Sequence, residues 1–498
     1  MSVPELMRTW RPHRDPSTLT LIILGLALVA GILATMADTQ TQQWIIVALI
    51  IAIIFLFRRN EVMAGFIIVV EVLLDWSELV GAPLYWPLIS LVCAGILLVV
   101  LFLTQSEDNP WVRMPYVWIP ALILALGLYP TYHALDRGAA IQYYLEVLCA
   151  PMIMYVIGTQ VTRSRENLRA LLNVLTGFGA FIGLHSIIIT AFGIFLFEPD
   201  ALQRYLITVA DYTLANSTIH RAASFLTNPD SNGAFLAMLL TLTLGLVWSA
   251  NTWPTRILYG AEAALTAGGL ICTFSNGSLL AFAPSVFLFI LLTAGTFRRR
   301  LIAIGGVLVV GCAVLLVKPS LVFVLLSHAT ANSEQSLRLG AWETGIRVIL
   351  SHPLAGVGLG YATYIVRAEP YRVALQYRPL SHPHDAFLEL GAMAGIPLLL
   401  AFITSLALGF RQGIRLWRAT DTTMRVMVAG ILCSLLTLTF NSFTANAWTL
   451  PPLAMMGWLL IGAMSSPALA AREVRQSEEA AHPAASGDKS DLLVGVES

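Results

Sequence analysis

Apolar residues in this chain run in long blocks rather than alternating with charged positions at short intervals. About 20 mostly apolar residues cross a ~30 Å hydrocarbon core as a helix. About fourteen blocks meet that standard, centred near residues 27, 50, 70, 94, 123, 150, 182, 241, 263, 287, 309, 398, 435 and 456. Two are weaker. The block near 70 carries Glu71, Asp75 and Glu78, and that near 123 is short and bounded by prolines. The first run, Thr18 to Met36, has no convincing small-residue cleavage site and reads as a span rather than a cleaved leader. The pattern predicts an all-α polytopic membrane protein, a bundle of about 12–14 transmembrane helices.

Two long polar connections interrupt the blocks, at about 198–230 and 318–384. Within the second, Leu339, Trp342, Ile346 and Ile349 recur at helical spacing between Ser333 and Leu350. Ser333 suits the N-cap, and Pro353 with Gly356, Gly358 and Gly360 stops the helix. This predicts an amphipathic helix lying along the outer membrane surface. The expected division is a membrane domain over 1–465 and a polar, disordered cytoplasmic tail over 466–498. No internal repeat of the secondary-transporter kind is visible.

Composition agrees with the block pattern. Hydrophobic residues make up 57% of the 498 positions and charged residues 12%, with a mean hydropathy of +0.76. So few charges cannot cover a water-facing surface, so most of the chain must face lipid. Net charge is zero, with 29 basic against 29 acidic residues, and supports no nucleic-acid partner. The five cysteines (Cys93, Cys149, Cys272, Cys312, Cys433) lie in or beside apolar blocks and form no C-x-x-C, so neither a disulfide framework nor a zinc site is expected.

The arginines orient the chain. With the N-terminus in the cytoplasm, 20 of the 29 basic residues fall inside, and eight of the nine outside lie in the two long loops, where the positive-inside rule is weak. Both ends are then cytoplasmic, and six of nine histidines lie on the outer face: His133, His220, His328, His352, His382 and His384.

Each residue that suggests chemistry also has an ordinary structural role. Gly356–Gly360 (GVGLG) resembles a nucleotide loop, but no strand precedes it and it faces outward, so a helix-ending turn is expected. His382-Pro-His384-Asp385 lacks a further ligand at metal-site spacing, and no D-x-D occurs; no metal or cofactor is expected. Arg338 stands four residues after Glu334 and Arg347 four after Glu343, the spacing of surface ion pairs. Arg221 precedes an apolar segment, where snorkelling would account for it. Glu71, Asp75, Glu146 and Glu262 lie in apolar blocks and are either paired structurally or part of an ion path.

The wording around these residues narrows the choice. The stretch from Arg338 through Trp342 and Pro353 to Gly356-Val-Gly358 resembles the signature of the O-antigen ligase and polymerase superfamily. Pro383-His384-Asp385-Ala-Phe-Leu388 through Gly395 resembles its His-Asn-x-x-Leu…Gly entry into the next helix, and Arg221-Ala-Ala-Ser-Phe225 through Pro229-Asp230 its Arg-x-x-Gly-x-Phe…Pro-Asn segment. The motifs span about 220–400. Asp385 and Asp230 stand where asparagine is usual, Ser224 where glycine is, Leu226 where phenylalanine is, Asn276 where an arginine is common, and Met393 where a glutamate is common.

The resemblance implies a glycosyltransferase of the bacterial inner membrane, acting on its periplasmic face. The donor would be an undecaprenyl-diphosphate-linked glycan and the acceptor a hydroxyl on a glycan or lipid, with membrane lipids as surroundings. Arg221 and Arg338 would stabilise charge on the leaving diphosphate without a metal, and His384 would act as general base. His382, Asp385, Trp342, Arg347 and Asp230 are secondary candidates for substrate binding. Direct displacement would invert the anomeric centre. Ligase, polymerase and oligosaccharyltransferase branches remain open, as does a permease or flippase that would depend on the intramembrane carboxylates.

Overall fold

A computed structural model describes residues 59–74, 89–104, 111–194, 211–214, 217–226, 228–296 and 332–472, with 298, 301 and 305; for 211–220 and 332–335 the backbone alone is described. Its elements are α1 (Asn60–Leu74), α2 (Ile89–Leu103), α3 (Trp118–His133), α4 (Arg137–Val161), α5 (Arg165–Phe192), a hairpin β1 (Asp211–Leu214) and β2 (Ser217–His220), α6 (Pro229–Ser249), α7 (Trp253–Cys272) and α8 (Asn276–Thr293). There follow α9 (Asn332–Ser351), α10 (Tyr361–Arg367), α11 (Ala386–Ala394), α12 (Ile396–Ala419), α13 (Thr422–Asn441) and α14 (Pro451–Met464).

The chain is an all-α polytopic membrane protein; the hairpin, with Asp211 opposite His220, is an ornament on one loop. Seven helical segments among the described residues are long and apolar enough to cross a membrane: α4, α5, α6, α8, α12, α13 and the segment beginning with α14. Every predicted block from the one near 70 onward falls on a helix, except that near 309. The blocks near 27, 50 and 309 lie outside the described residues. At the C-terminal end, residues 467–472 are helical and Leu469 is buried.

Local signals set the helix ends. Ser164, Thr252, Ser275 and Asp421 cap α5, α7, α8 and α13, each side chain accepting a first-turn backbone N–H. Packing between helices then depends on glycine. A Cβ at Gly462 of α14 would stand 2.2 Å from the Tyr155 carbonyl of α4, and one at Gly269 of α7 2.4 Å from Gly183 Cα of α5. Lipid offers no hydrophobic drive for helices to associate, so close van der Waals approach through small residues takes its place. Residues facing away are large and apolar: Val92, Ile96, Val99 and Phe102 on α2, and Leu280 and Phe287 on α8.

Helix α9 forms over the predicted range. Leu339 and Ile346 of its apolar stripe are exposed, while Leu337, Ala341, Thr344 and Val348 are buried against the rest of the protein. The reason is Gly340, which lets the backbone of Gln376 approach so closely that only hydrogen fits between them. Exposed Leu339, Ile346 and Leu350 form an apolar strip on the other side.

Candidate active site

The first group is built around Asp230. Asn228 caps α6, its side chain accepting the Asp230 N–H at 2.8 Å, and this sets Asp230 in the first turn, where the helix dipole favours a carboxylate. Arg221 reaches it from the turn before: one terminal nitrogen donates to Asp230 Oδ1 at 2.8 Å and Nε donates to the Thr273 carbonyl at 2.9 Å. Arg221 is buried, with 7% of its side chain exposed, which removes the snorkelling account.

Arg338, from α9, approaches the other carboxylate oxygen at 3.6 Å and donates to the Thr444 carbonyl at 3.2 Å. Two arginines far apart in sequence therefore share one carboxylate. Arg338 is 40% exposed.

The histidines come next. The turn after α13 that receives Arg338 also accepts, through the Ser442 carbonyl, the N–H of Ala386 at 2.9 Å, and so fixes the start of α11. Asp385 is the N-cap of α11, its Oδ1 accepting from Phe387 N at 2.8 Å and Leu388 N at 2.9 Å. That carboxylate holds the helix rather than His384. His384 sits one residue before the cap at φ +58°, in the left-handed region that few non-glycine residues adopt. Its backbone N–H donates to His382 Nδ1 at 3.1 Å, and the two rings lie 4.2 Å apart.

Electrostatics keep both rings neutral. Burial, then the positive charge of Arg338, push His384 down to about 4; Arg378 adds to this and Asp230 opposes it. Burial first, then His384 and Arg338, hold His382 well below the usual histidine range. Burial raises the Asp385 carboxyl, against the two backbone N–H groups that favour its charged form.

The glycine loop has a packing role. Val357 N donates to Ala392 O at 2.9 Å and Gly358 N to Met393 O at 3.0 Å, so the loop runs along the end of α11. Gly356 has φ +61°, and a Cβ there would meet Met393 C at 2.4 Å. On the loop's other side Leu359 N donates to Pro130 O at 3.2 Å. There an open cavity of about 750 Å³ is lined by Tyr132, His133, Asp136, Arg137 and Arg367.

The remaining candidates separate. Trp342 is half-buried, and its indole N–H is enclosed without a hydrogen-bond partner among the described residues. Arg347 stays exposed and paired with Glu343 at 2.7 Å, the i,i+4 surface arrangement. Of the carboxylates a transporter would use, Glu71 on α1 accepts the hydroxyl of Ser90 on α2, Glu146 lies on α4, Glu262 lies on α7 beside Thr176, and Asp75 is outside the described residues. They are dispersed over three helices. Among the described residues no cluster of His, Cys, Asp or Glu is arranged to hold a metal.

Sequence reasoning passed over Thr444, Tyr361, Glu389 and Tyr143. Glu389 is fully buried beneath the histidines, and Tyr361 lies with its ring 5.4 Å from that of His382. Only Glu389 had a local signal, its place in the α11 motif; the others reach the site solely through the fold.

Residues 261–403 match the O-antigen ligase family. The matched segment holds Arg338, Trp342, the glycine loop and the His382–Asp385 turn, while Arg221 and Asp230 precede it. The match supports glycan transfer of the ligase or polymerase type. No curated protein matches the chain.

Proposed function

We propose, for a chain whose residues 261–403 match the O-antigen ligase family, a metal-independent, inverting glycosyltransferase of the bacterial inner membrane. It moves a glycan from undecaprenyl diphosphate to an acceptor hydroxyl on the periplasmic side, with both termini cytoplasmic, as a surface-polysaccharide polymerase or O-antigen ligase. The observation that carries this reading is the convergence of Arg221 and Arg338 on Asp230 beside two neutral histidines.

The chemistry suits that arrangement. As the anomeric C–O bond breaks, its electron pair leaves with the lipid diphosphate, and guanidinium groups stabilise the charge that develops. Asp230 offsets one of the two arginine charges, so the pair retains a net positive charge for an anion. His384 takes the acceptor hydroxyl proton as the new C–O bond forms on the opposite face. Its neutrality leaves the ring nitrogen free to accept that proton. The cavity beside the glycine loop offers Tyr132, Arg137 and Arg367 to a sugar chain.

The test uses purified protein in detergent with an undecaprenyl-diphosphate-linked oligosaccharide, following released lipid diphosphate and glycan size. Longer glycans from donor alone indicate a polymerase; transfer only with added lipid A core indicates a ligase. Full activity in His384→Ala removes the general-base assignment. If no glycan moves with either acceptor, a transport assay on Glu71, Glu146 and Glu262 variants takes its place.

A further inference from the structure

Beneath the two histidines lies a carboxylate that the proposed reaction does not use. Glu389 stands one turn into α11 with no exposed side-chain surface. The Tyr143 hydroxyl of α4 donates to its Oε1 at 2.6 Å, immediately before the π-helical turn Tyr144–Cys149. Its Oε2 is enclosed and faces His382 Nδ1 at 3.8 Å. That separation is too long for a hydrogen bond, and His382 Nδ1 already accepts the His384 N–H, so the contact is one of charge.

When His384 takes a proton, its imidazolium forms against unfavourable neighbours. Arg338 and Arg378 oppose a positive charge there. His382, 4.2 Å away ring to ring, must stay neutral. Asp385 is engaged in capping α11. The remaining negative groups are Asp230, which is shared by the arginines in front, and Glu389 behind.

We propose that Glu389, acting through His382, is a positioning residue that holds the His382–His384 pair in place and supplies the negative charge answering protonation of His384. This rests on His384 being the general base. The groups facing Glu389 are Tyr143 from α4, Tyr361 and Tyr364 from α10, Thr449, His382 and Asp385. Burial, first among the influences, pushes its carboxyl up to about 7, while hydrogen bonds from Tyr143, then Thr449 and Tyr361, pull it down. It is therefore ionised above that pH and neutral below it, which makes the charge testable.

The alternative role is a strut in which Tyr143 and Glu389 merely tie α4 to α11. Glu389→Gln separates the two, because its amide oxygen still accepts from Tyr143. With the undecaprenyl-diphosphate-linked oligosaccharide as substrate, wild-type kcat should climb as pH rises through about 7. Glu389→Gln should lose that limb, with kcat reduced on the order of ten- to a hundredfold and KM little changed. Glu389→Asp should restore part of the limb. Tyr143→Phe, which keeps the carboxylate, should move the limb to higher pH. Should Glu389→Gln fail to fold, the Tyr143→Phe shift decides, and an unmoved limb overturns the proposal.

Wild-type rate and pH profile in Glu389→Gln, with His384→Ala inactive, would overturn the positioning role and leave the transferase reading intact. Activity in His384→Ala would instead remove that reading and this proposal with it.

Discussion

Gly340→Ala tests whether the spacing between α9 and the loop at Gln376 sets the position of Arg338. A Cβ at Gly340 would lie 2.2 Å from Gln376 N, 2.5 Å from Leu375 C and 2.9 Å from Gln376 Cα. Ordinary contact begins near 3.4 Å, so the nearest pair falls short by about 1.2 Å. The atoms it meets are backbone, which cannot rotate aside, so the helix or the loop must withdraw. Overpacking of this kind costs about 1–3 kcal/mol, while alanine in place of glycine in a helix returns up to ~1 kcal/mol. The net destabilisation is then about 0–3 kcal/mol, below the ~5–15 kcal/mol that holds a folded protein together.

The effect on catalysis should be larger. Arg338 lies two residues from Gly340, and a displacement near 1 Å of a charge-stabilising group costs about a hundredfold in rate, or ~2.7 kcal/mol in barrier. The expected signature is a folded protein with a modestly lowered Tm in detergent and glycan transfer reduced about a hundredfold. The control is Gly260→Ala on α7, where nothing lies within 4 Å of the new methyl; it should be neutral or stabilising by up to ~1 kcal/mol and fully active. Wild-type transfer by Gly340→Ala would refute the claim that this close approach positions Arg338.

Three further outcomes follow from the site. His384, held down to about 4 by burial and Arg338, should remain neutral at pH 5 and react with diethyl pyrocarbonate there, when read by mass spectrometry. Removing the Arg338 charge raises its pKa, so in Arg338→Ala a larger fraction is protonated at pH 5 and labelling should fall; unchanged labelling would show that Arg338 does not act on the ring. Asp385→Ala should lose about 1 kcal/mol of stability by unfolding in detergent, whereas Asp385→Asn, an equally good N-cap, should retain both stability and transfer. If Asp385→Asn abolishes transfer, the carboxylate has a role beyond capping. Arg347→Ala should leave transfer unchanged and cost no more than ~0.5 kcal/mol, since its contact is an exposed pair within one helix; a hundredfold loss of transfer would make it a substrate ligand.

The sequence alone indicated the membrane class and, among the described residues, the helix positions; its resemblance to a known family nominated three principal candidates, Arg221, Arg338 and His384. Each is a local property. An apolar block of sufficient length must be a helix in lipid because every backbone N–H and C=O there needs an internal partner. The three candidates sit in short contiguous motifs whose glycines and prolines also mark the turns around them. Gly356 was read as a turn, and the turn formed; the motif did not reveal that the residue packs against the Met393 backbone.

Tertiary structure decided what these residues do to one another. Arg338 had a local partner at the right spacing in Glu334, yet its guanidinium reaches Asp230 on α6 and Thr444 after α13. Helix α9 carried an apolar stripe at Leu339 and Ile346, but the face with Gly340 packed inward, because contact depends on how near two backbones can come as well as on hydrophobicity. Glu389 is an ordinary first-turn residue of α11 until α4 brings Tyr143 to it and the turn before brings His382 above it. A residue's charge environment comes from neighbours distant in the chain, and their identity is set only when the helices pack.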